Sequence, residues 1–288
     1  MSSTKDGLKD KLKKLRKKAG KYFSEHIPIT KEDRKYYELI GEMIPEIRMY
    51  KKETIYLVKM QGLARRCLRL RSYYRYLIGH PEEQALLRRS LTLTGSHFFR
   101  GNDWDDFQRI SEQVLQDKES VRIWCAGCAN GKEVYSLIMA YLNFMDISQL
   151  DILASDYKDE LLAACKEGVY GISMLKEIPE AYYQYLDIGE KIVFHRELRD
   201  CIHTQNINLL TDSYPAGFDV ILCRNGIKFF SPEMREKVKK DLSASLAPGG
   251  ILFVSDDENA RGVELIGEPE ILGLCTTDNR CIYVKNAG

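Results

Sequence analysis

The sequence predicts an α/β fold in which a small all-helical domain precedes a doubly wound parallel sheet, and three observations carry that expectation. Residues 122–136 form an apolar run that passes into a turn punctuated by Gly127 and Gly131, then into a helical pattern with Glu133 early in it. From residue 104 onward, short apolar runs alternate with segments of helical periodicity, as in βα units that feed a parallel sheet. Before residue 92, apolar residues instead recur three and four apart.

Taken in order, residues 1–30 form a basic extension. Within it, Leu8, Leu12 and Leu15 are spaced among nine lysines and arginines at positions 5–21, which reads equally as a basic helix or as a solvated extension. In residues 31–91, Tyr37, Ile40, Met43, Ile44 and Ile47, then Ile55, Val58, Leu63, Leu68 and Leu70, predict a bundle of about four helices. A connector at 92–103 leads to a helix at 104–115. Strands are expected at 122–126, 151–155, 202–208, 218–223 and 250–254, with crossover helices at 132–144, 158–166 and 232–246. Residues 271–275 and 281–285 read as a terminal hairpin, and the broken rhythm of 171–200 reads as a small β insertion outside the main sheet. Ligands of such a sheet bind at the carboxyl ends of its strands.

The 288 residues are 44% hydrophobic and 30% charged, an ordinary globular composition that can bury a core. No apolar run approaches the roughly 20 residues needed to span a bilayer, and the start lacks an apolar signal segment, so a cytoplasmic location is expected. The eight cysteines have no small-scaffold spacing and read as free thiols. Cys125 and Cys128 have an interval that suits a redox pair or half a zinc site. No second pair or histidine cluster completes a site, and no metal is expected.

Charge is unevenly divided. Residues 1–100 hold 24 Lys and Arg against 11 Asp and Glu, whereas the remainder holds 19 against 31. A basic front suits an anionic partner, whether nucleic acid, a membrane surface or an acidic protein. Its densest part is Lys59, Arg65, Arg66, Arg69, Arg71 and Arg75, with no acid between Glu53 and Glu82.

At the strand ends, Gly127 and Gly131 permit a sharp turn and a close approach of backbone to a ligand, and Asp156 can accept from the hydroxyls of a ribose. Asn208, Leu209, Arg224 and Asn225 fall at the ends of later strands and converge on the same crevice. The stretches ending at Arg100 (Ser-His-Phe-Phe-Arg), Ser136 (Ala-Gly-Cys-Ala-Asn-Gly-Lys-Glu-Val-Tyr-Ser), Asp156 (Ala-Ser-Asp), Tyr170 (Glu-Gly-Val-Tyr), Leu209 (Ile-Asn-Leu), Asn225 (Phe-Asp-Val-Ile-Leu-Cys-Arg-Asn) and Phe253 (Leu-Ala-Pro-Gly-Gly-Ile-Leu-Phe) together resemble the CheR-type chemotaxis receptor methyltransferases, in order from about residue 35 to the end.

That resemblance implies a Rossmann-like domain dependent on S-adenosyl-L-methionine and a product that is a glutamate methyl ester on a chemoreceptor. It implies cofactor contacts at Thr94, Ser96, Arg100, Gly127, Gly131, Glu133, Asp156, Asn208, Leu209, Arg224 and Asn225, with Arg100 and Asn225 nearest the chemistry. Glu133 would pair with the methionine ammonium, Asp156 with the ribose, and Asn208 and the Leu209 backbone with the adenine side. The basic helical domain would dock the glutamate-rich methylation helices of a receptor through Lys59, Arg65, Arg66 and Arg69.

The sequence departs from the family at Lys132, which stands where a glutamate is usual, and at Thr94 and Ser96. It departs also at Phe229, where a tyrosine is usual, and at residues 255–258. Phe229 favours an alternative in which the protein binds the cofactor as a sensor or scaffold with little turnover. A nucleic-acid methyltransferase is not expected, since no aromatic-lined Asn-Pro-Pro-Tyr signature is present to hold a base. The short stretch 185–195, with one glycine, implies a reduced β-subdomain that does not use a receptor pentapeptide tether. A monomer is expected.

Overall fold

A computed structural model describes residues 28–50, 54–91, 96–224, 226–255, 266 and 268–287. The chain divides into two compact units, residues 1–92 and 93–288. The basic stretch at 5–21, Thr94, Asn225 and residues 256–258 lie outside the described residues.

The first unit contains helices α1 (Lys31–Met43), α2 (Thr54–Ala64), α3 (Leu70–Gly79) and α4 (Pro81–Ser90), with a 3-10 turn at Pro45–Met49. Helix α1 starts at a capping box: Thr30 Oγ accepts the Asp33 N–H while the Asp33 carboxylate accepts the Thr30 N–H, each at 3.0 Å. Ile40, Ile44, Ile47, Val58, Tyr73, Leu77 and Leu87 form its fully buried interior. Asp33 also takes the Lys59 ammonium at 2.7 Å and the Leu70 N–H at 3.2 Å, so one carboxylate ties α1 to α2 and to the start of α3. The cationic stretch is not one helix. A turn separates α2 from α3, with Arg66 at φ +61° and Leu68 exposed, so the apolar spacing that predicts Leu68 as core fails there.

The second unit has a seven-stranded sheet of order β6-β2-β1-β7-β8-β10-β9, from β1 (Val121–Ala126), β2 (Leu150–Asp156), β6 (Ile202–Asn206), β7 (Phe218–Arg224), β8 (Leu246–Ser255), β9 (Leu274–Thr276) and β10 (Ile282–Lys285). The first five in that order are parallel, and β10 runs antiparallel to both β8 and β9. Strand order reverses between β1 and β7, which opens the crevice at their carboxyl ends. Every residue of β7 is buried, as expected of a central parallel strand covered on both faces by helices. The covering helices are α5 (Trp104–Leu115), α6 (Lys132–Tyr141), α7 (Asp159–Glu167) and α9 (Pro232–Ser245).

The terminal hairpin is shorter than its apolar spacing suggests. Pro269 starts a 3-10 turn that carries Ile271, Gly273 ends it at φ +66°, and only then does β9 begin. The insertion is a separate antiparallel sheet, β3 (Val169–Gly171), β5 (Lys191–Phe194) and β4 (Leu186–Ile188), followed by the short helix α8 (Arg196–Asp200). It is not an appendage: Phe194 stacks on Tyr135 of α6 at 4.0 Å and joins the core of the main sheet.

Candidate functional site

The loop after β1 builds one wall of the crevice. Gly127, Ala129 and Gly131 all have left-handed backbones, φ +72°, +50° and +84°. The two glycines serve different ends. A Cβ on Gly127 would meet only Leu209 Cδ1, at 3.8 Å, so that position is open as expected for close approach. A Cβ on Gly131 would fall 2.8 Å from Cys165 Cβ of α7, so packing within the domain, rather than ligand approach, requires glycine there. Cys125, near the end of β1, and Cys128, within this loop, are both buried. Burial pushes the Cys125 thiol well up, which suits inert core packing.

Asp156 ends β2 beneath the same loop. Its Oδ2 accepts the Ala129 N–H at 3.1 Å and its Oδ1 the Lys158 N–H at 3.1 Å. Burial raises its pKa, against those backbone bonds and the Lys158 charge. The carboxylate therefore anchors the loop, and with about four lone-pair sites it retains capacity for ribose hydroxyls. Asn208 lies just past β6. Its Oδ1 accepts the Leu210 N–H at 3.0 Å, so its side chain caps a turn, and the Leu209 carbonyl accepts the Tyr214 hydroxyl at 2.6 Å.

The other wall is a cluster of opposite charges. Arg224, at the end of β7, is buried with its guanidinium against the rings of Trp104 (5.2 Å) and Phe253 (4.5 Å). Its Nη1 donates to Glu133 Oε1 at 2.8 Å and its Nη2 to the Arg100 carbonyl at 2.7 Å. Arg224 is thus a buried clamp that fastens the connector to the first turn of α6. Burial raises the Glu133 pKa, although Arg224, Arg100 and His97 all pull it back. Lys132, the neighbour that departs from the family, turns to the Phe98 ring (5.8 Å) and Met174 Sδ (3.1 Å). Ser96 donates to Asn130 Oδ1 at 3.0 Å, which fixes the connector against the glycine loop. Phe229 is half-buried in the 3-10 turn Ile227–Phe229 that follows β7.

The structure thus gathers Ser96, Arg100, Gly127, Gly131, Glu133, Asp156, Asn208, Leu209 and Arg224 in one unit at the carboxyl ends of the strands. Lys59 leaves the exposed cationic set. It is 7% exposed, and its ammonium is spent on Asp33 and on the Pro28 carbonyl at 3.0 Å. Arg65 donates to the buried Glu83 at 2.7 Å, whereas Arg66 and Arg69 are exposed. Sequence reasoning missed Trp104, Phe253, Asn130 and Ser136. Among these Asn130, Ser136 and Phe253, each inside a recognised motif, carried a signal, whereas Trp104 did not. Among the described residues no group of three metal-ligating side chains occurs, and no helix is long and apolar enough to cross a membrane.

The donor set fits S-adenosylmethionine. The methionine end is a zwitterion, and Glu133 and Arg100 offer one charge of each sign; a ribose diol would meet a carboxylate in Asp156 beside the open Gly127. Comparison with known proteins agrees. The sequence pattern of the CheR methyltransferase S-adenosylmethionine-binding domain matches residues 95–266. A chemotaxis protein methyltransferase of Listeria monocytogenes is 32% identical over 200 residues, 68% of this chain and 74% of the relative. One of Salmonella typhimurium is 28% identical over 226 residues, 73% and 77%. The chain belongs to the CheR methyltransferase family, and its cofactor is S-adenosylmethionine.

Proposed function

We propose that this protein methylates glutamate side chains on the cytoplasmic helices of chemoreceptors, giving methyl esters. The observation that carries the reading is the family match over residues 95–266 together with the Arg100–Arg224–Glu133 cluster inside it. Relatives that bear the name chemotaxis protein methyltransferase support a role in chemotaxis.

The cofactor supplies an electrophilic methyl on a sulfonium. Glu133 would hold the methionine ammonium, Asp156 the ribose, Asn208 and Leu209 the adenine side, with Thr94, Ser96 and Asn225 assigned by their motif positions. A glutamate acceptor, with a pKa of about 4.3, is already ionised at pH 7, so no general base is needed. What remains is in-line placement of a carboxylate oxygen and exclusion of water, which can supply several kcal/mol. Arg100 is suited to orient the acceptor carboxylate, provided that the pair does not hold the ground state too tightly.

The helical unit would act as the docking domain. Its exposed cations Arg66 and Arg69, with Arg71 and Arg75, present a face that suits glutamate-rich helices; Glu32 lies 4.0 Å from Arg69 and 3.8 Å from Arg71. One experiment tests the reading: incubation of the pure protein with methyl-labelled cofactor and membranes of its own organism. Base-labile label on a receptor-sized band is expected. Phe229 supports a second reading, since it lacks the hydroxyl usual in the family; cofactor binding without transfer would favour that sensor or scaffold.

A further inference from the structure

The connector that carries Arg100 is held in a conformation the backbone does not choose by itself. Phe99 has φ +40°, a left-handed value that a bulky aromatic residue seldom adopts and that persists only where the surroundings impose it. Two of those surroundings belong to the inserted subdomain. Glu177, in the 3-10 turn Ile172–Glu177, accepts the Phe98 N–H on Oε2 at 3.1 Å and meets His97 Nδ1 with Oε1 at 3.1 Å. Tyr182, in the 3-10 turn Glu180–Tyr185, lays its ring flat on Phe99, with centroids 5.3 Å apart and planes 7° apart. Outside the subdomain, Ser136 of α6 accepts the Phe99 N–H at 2.9 Å. The next residue is Arg100, whose carbonyl binds Arg224 and whose charge acts on Glu133.

We propose that Glu177 and Tyr182 are positioning residues for S-adenosylmethionine: the inserted subdomain grips residues 97–99, fixes the strained turn at Phe99, and thereby sets Arg100 against Arg224 and Glu133. Neither residue belongs to the charge cluster, so they act on the cofactor through the connector. Preorganisation of this kind moves ligand affinity in proportion to how well the supporting contacts are kept. Glutamine at 177 keeps them, because its amide oxygen accepts from Phe98 N–H and its NH₂ donates to His97 Nδ1 in the Nε2–H tautomer. Alanine keeps neither.

The test is calorimetric titration with S-adenosylhomocysteine, paired with the melting temperature of the unliganded protein. Glu177→Ala and Tyr182→Ala are each expected to bind roughly tenfold more weakly, the scale of a lost charge-assisted hydrogen bond or aromatic stack. Glu177→Gln and Tyr182→Phe are expected to stay within about threefold of the parent, with all four variants melting as single transitions. Should Glu177→Ala fail to fold, Glu177→Asp, one methylene shorter and still charged, is expected to bind several-fold more weakly. Affinity unchanged in Glu177→Ala, or in Glu177→Asp where that variant replaces it, would overturn the proposal. So would an equal loss in the Gln and Ala variants, because a residue needed only for folding would not distinguish a competent acceptor by ligand affinity.

Discussion

Each unit of this protein contains a carboxylate paired with a buried cation, Asp33 with its side chain 4% exposed in one and Glu133 with 13% in the other, and the two pairs differ in a way that separates scaffold from site. In the helical unit, Asp33 and Lys59 meet at 2.7 Å; in the α/β unit, Glu133 and Arg224 meet at 2.8 Å. Burial raises both carboxylates. Asp33 nevertheless ends at about 2, because hydrogen bonds from Lys59, from the Thr30 N–H and hydroxyl, and from the Leu70 N–H outweigh burial. Glu133 receives its hydrogen bond from Arg224 Nη1, and there burial wins, so its pKa stays raised. Asp33 is saturated with donors and has nothing left to bind. Glu133 is a largely desolvated carboxylate that, among the described residues, accepts a side-chain hydrogen bond from Arg224, which suits it to a further cationic group brought by a ligand.

The largest expected effects come from breaking each pair. Asp33→Ala strands the Lys59 ammonium and should cost about 4 kcal/mol of stability, read by denaturant unfolding, while S-adenosylhomocysteine affinity of the folded protein is unchanged. Arg224→Met should cost about 3 kcal/mol and abolish cofactor binding as well, because the same guanidinium holds the Arg100 carbonyl. Equal loss of cofactor affinity in both variants would erase the distinction between the pairs.

The two carboxylates should also titrate in opposite senses. A depressed carboxylate stabilises the fold when ionised. The contribution of Asp33 is therefore complete above its ordinary 3.8 and is lost as pH falls toward about 2. A raised carboxylate does the reverse: ionising Glu133 costs the unliganded protein stability as pH rises above the ordinary glutamate value. For the cofactor the sign turns again, since only ionised Glu133 can hold an ammonium. S-adenosylhomocysteine affinity should begin to fall, as pH is lowered, at a higher pH than an ordinary glutamate would impose. Calorimetry across that range reads it.

Smaller effects concern the surface and the crevice. Reversing Arg66 and Arg69 to Glu should lower kcat/KM for receptor methylation roughly tenfold, more steeply at low salt, with cofactor affinity unchanged. Arg65 is a poorer probe, because reversing it also removes the partner of buried Glu83. Phe229→Tyr should raise the methylation rate only a few-fold, about 1 kcal/mol, if a hydroxyl there helps to hold the acceptor. No change in rate would leave Phe229 without a role.

The central strand β7 was legible because it is covered on both faces and reads as a nearly continuous apolar run, whereas edge strand β6, Ile-His-Thr-Gln-Asn, is exposed at four of its five residues. The expected strand at 218–223 is observed at Phe218–Arg224, and the helix at 104–115 is observed at those bounds. The site was legible in residue identity but less so in role. Gly131 was recognisable as a required glycine, yet its reason is Cys165, on a different helix. Lys59 looked like part of an exposed cationic run because Asp33, 26 residues earlier, gives no local sign that it will bury the charge. Arg224 and Phe99 hide for the same cause: a clamp to a carbonyl at position 100 and a left-handed φ are products of tertiary contact and leave no periodicity in the chain.

The contrast between the two paired carboxylates is tested most directly by S-adenosylhomocysteine titration of Glu133→Gln, which preserves shape and removes charge. The affinity should fall by roughly a hundredfold, the scale of a lost charge-assisted contact in a desolvated site. An affinity within about twofold of the parent would contradict the assignment of Glu133 as the open carboxylate of the cofactor site.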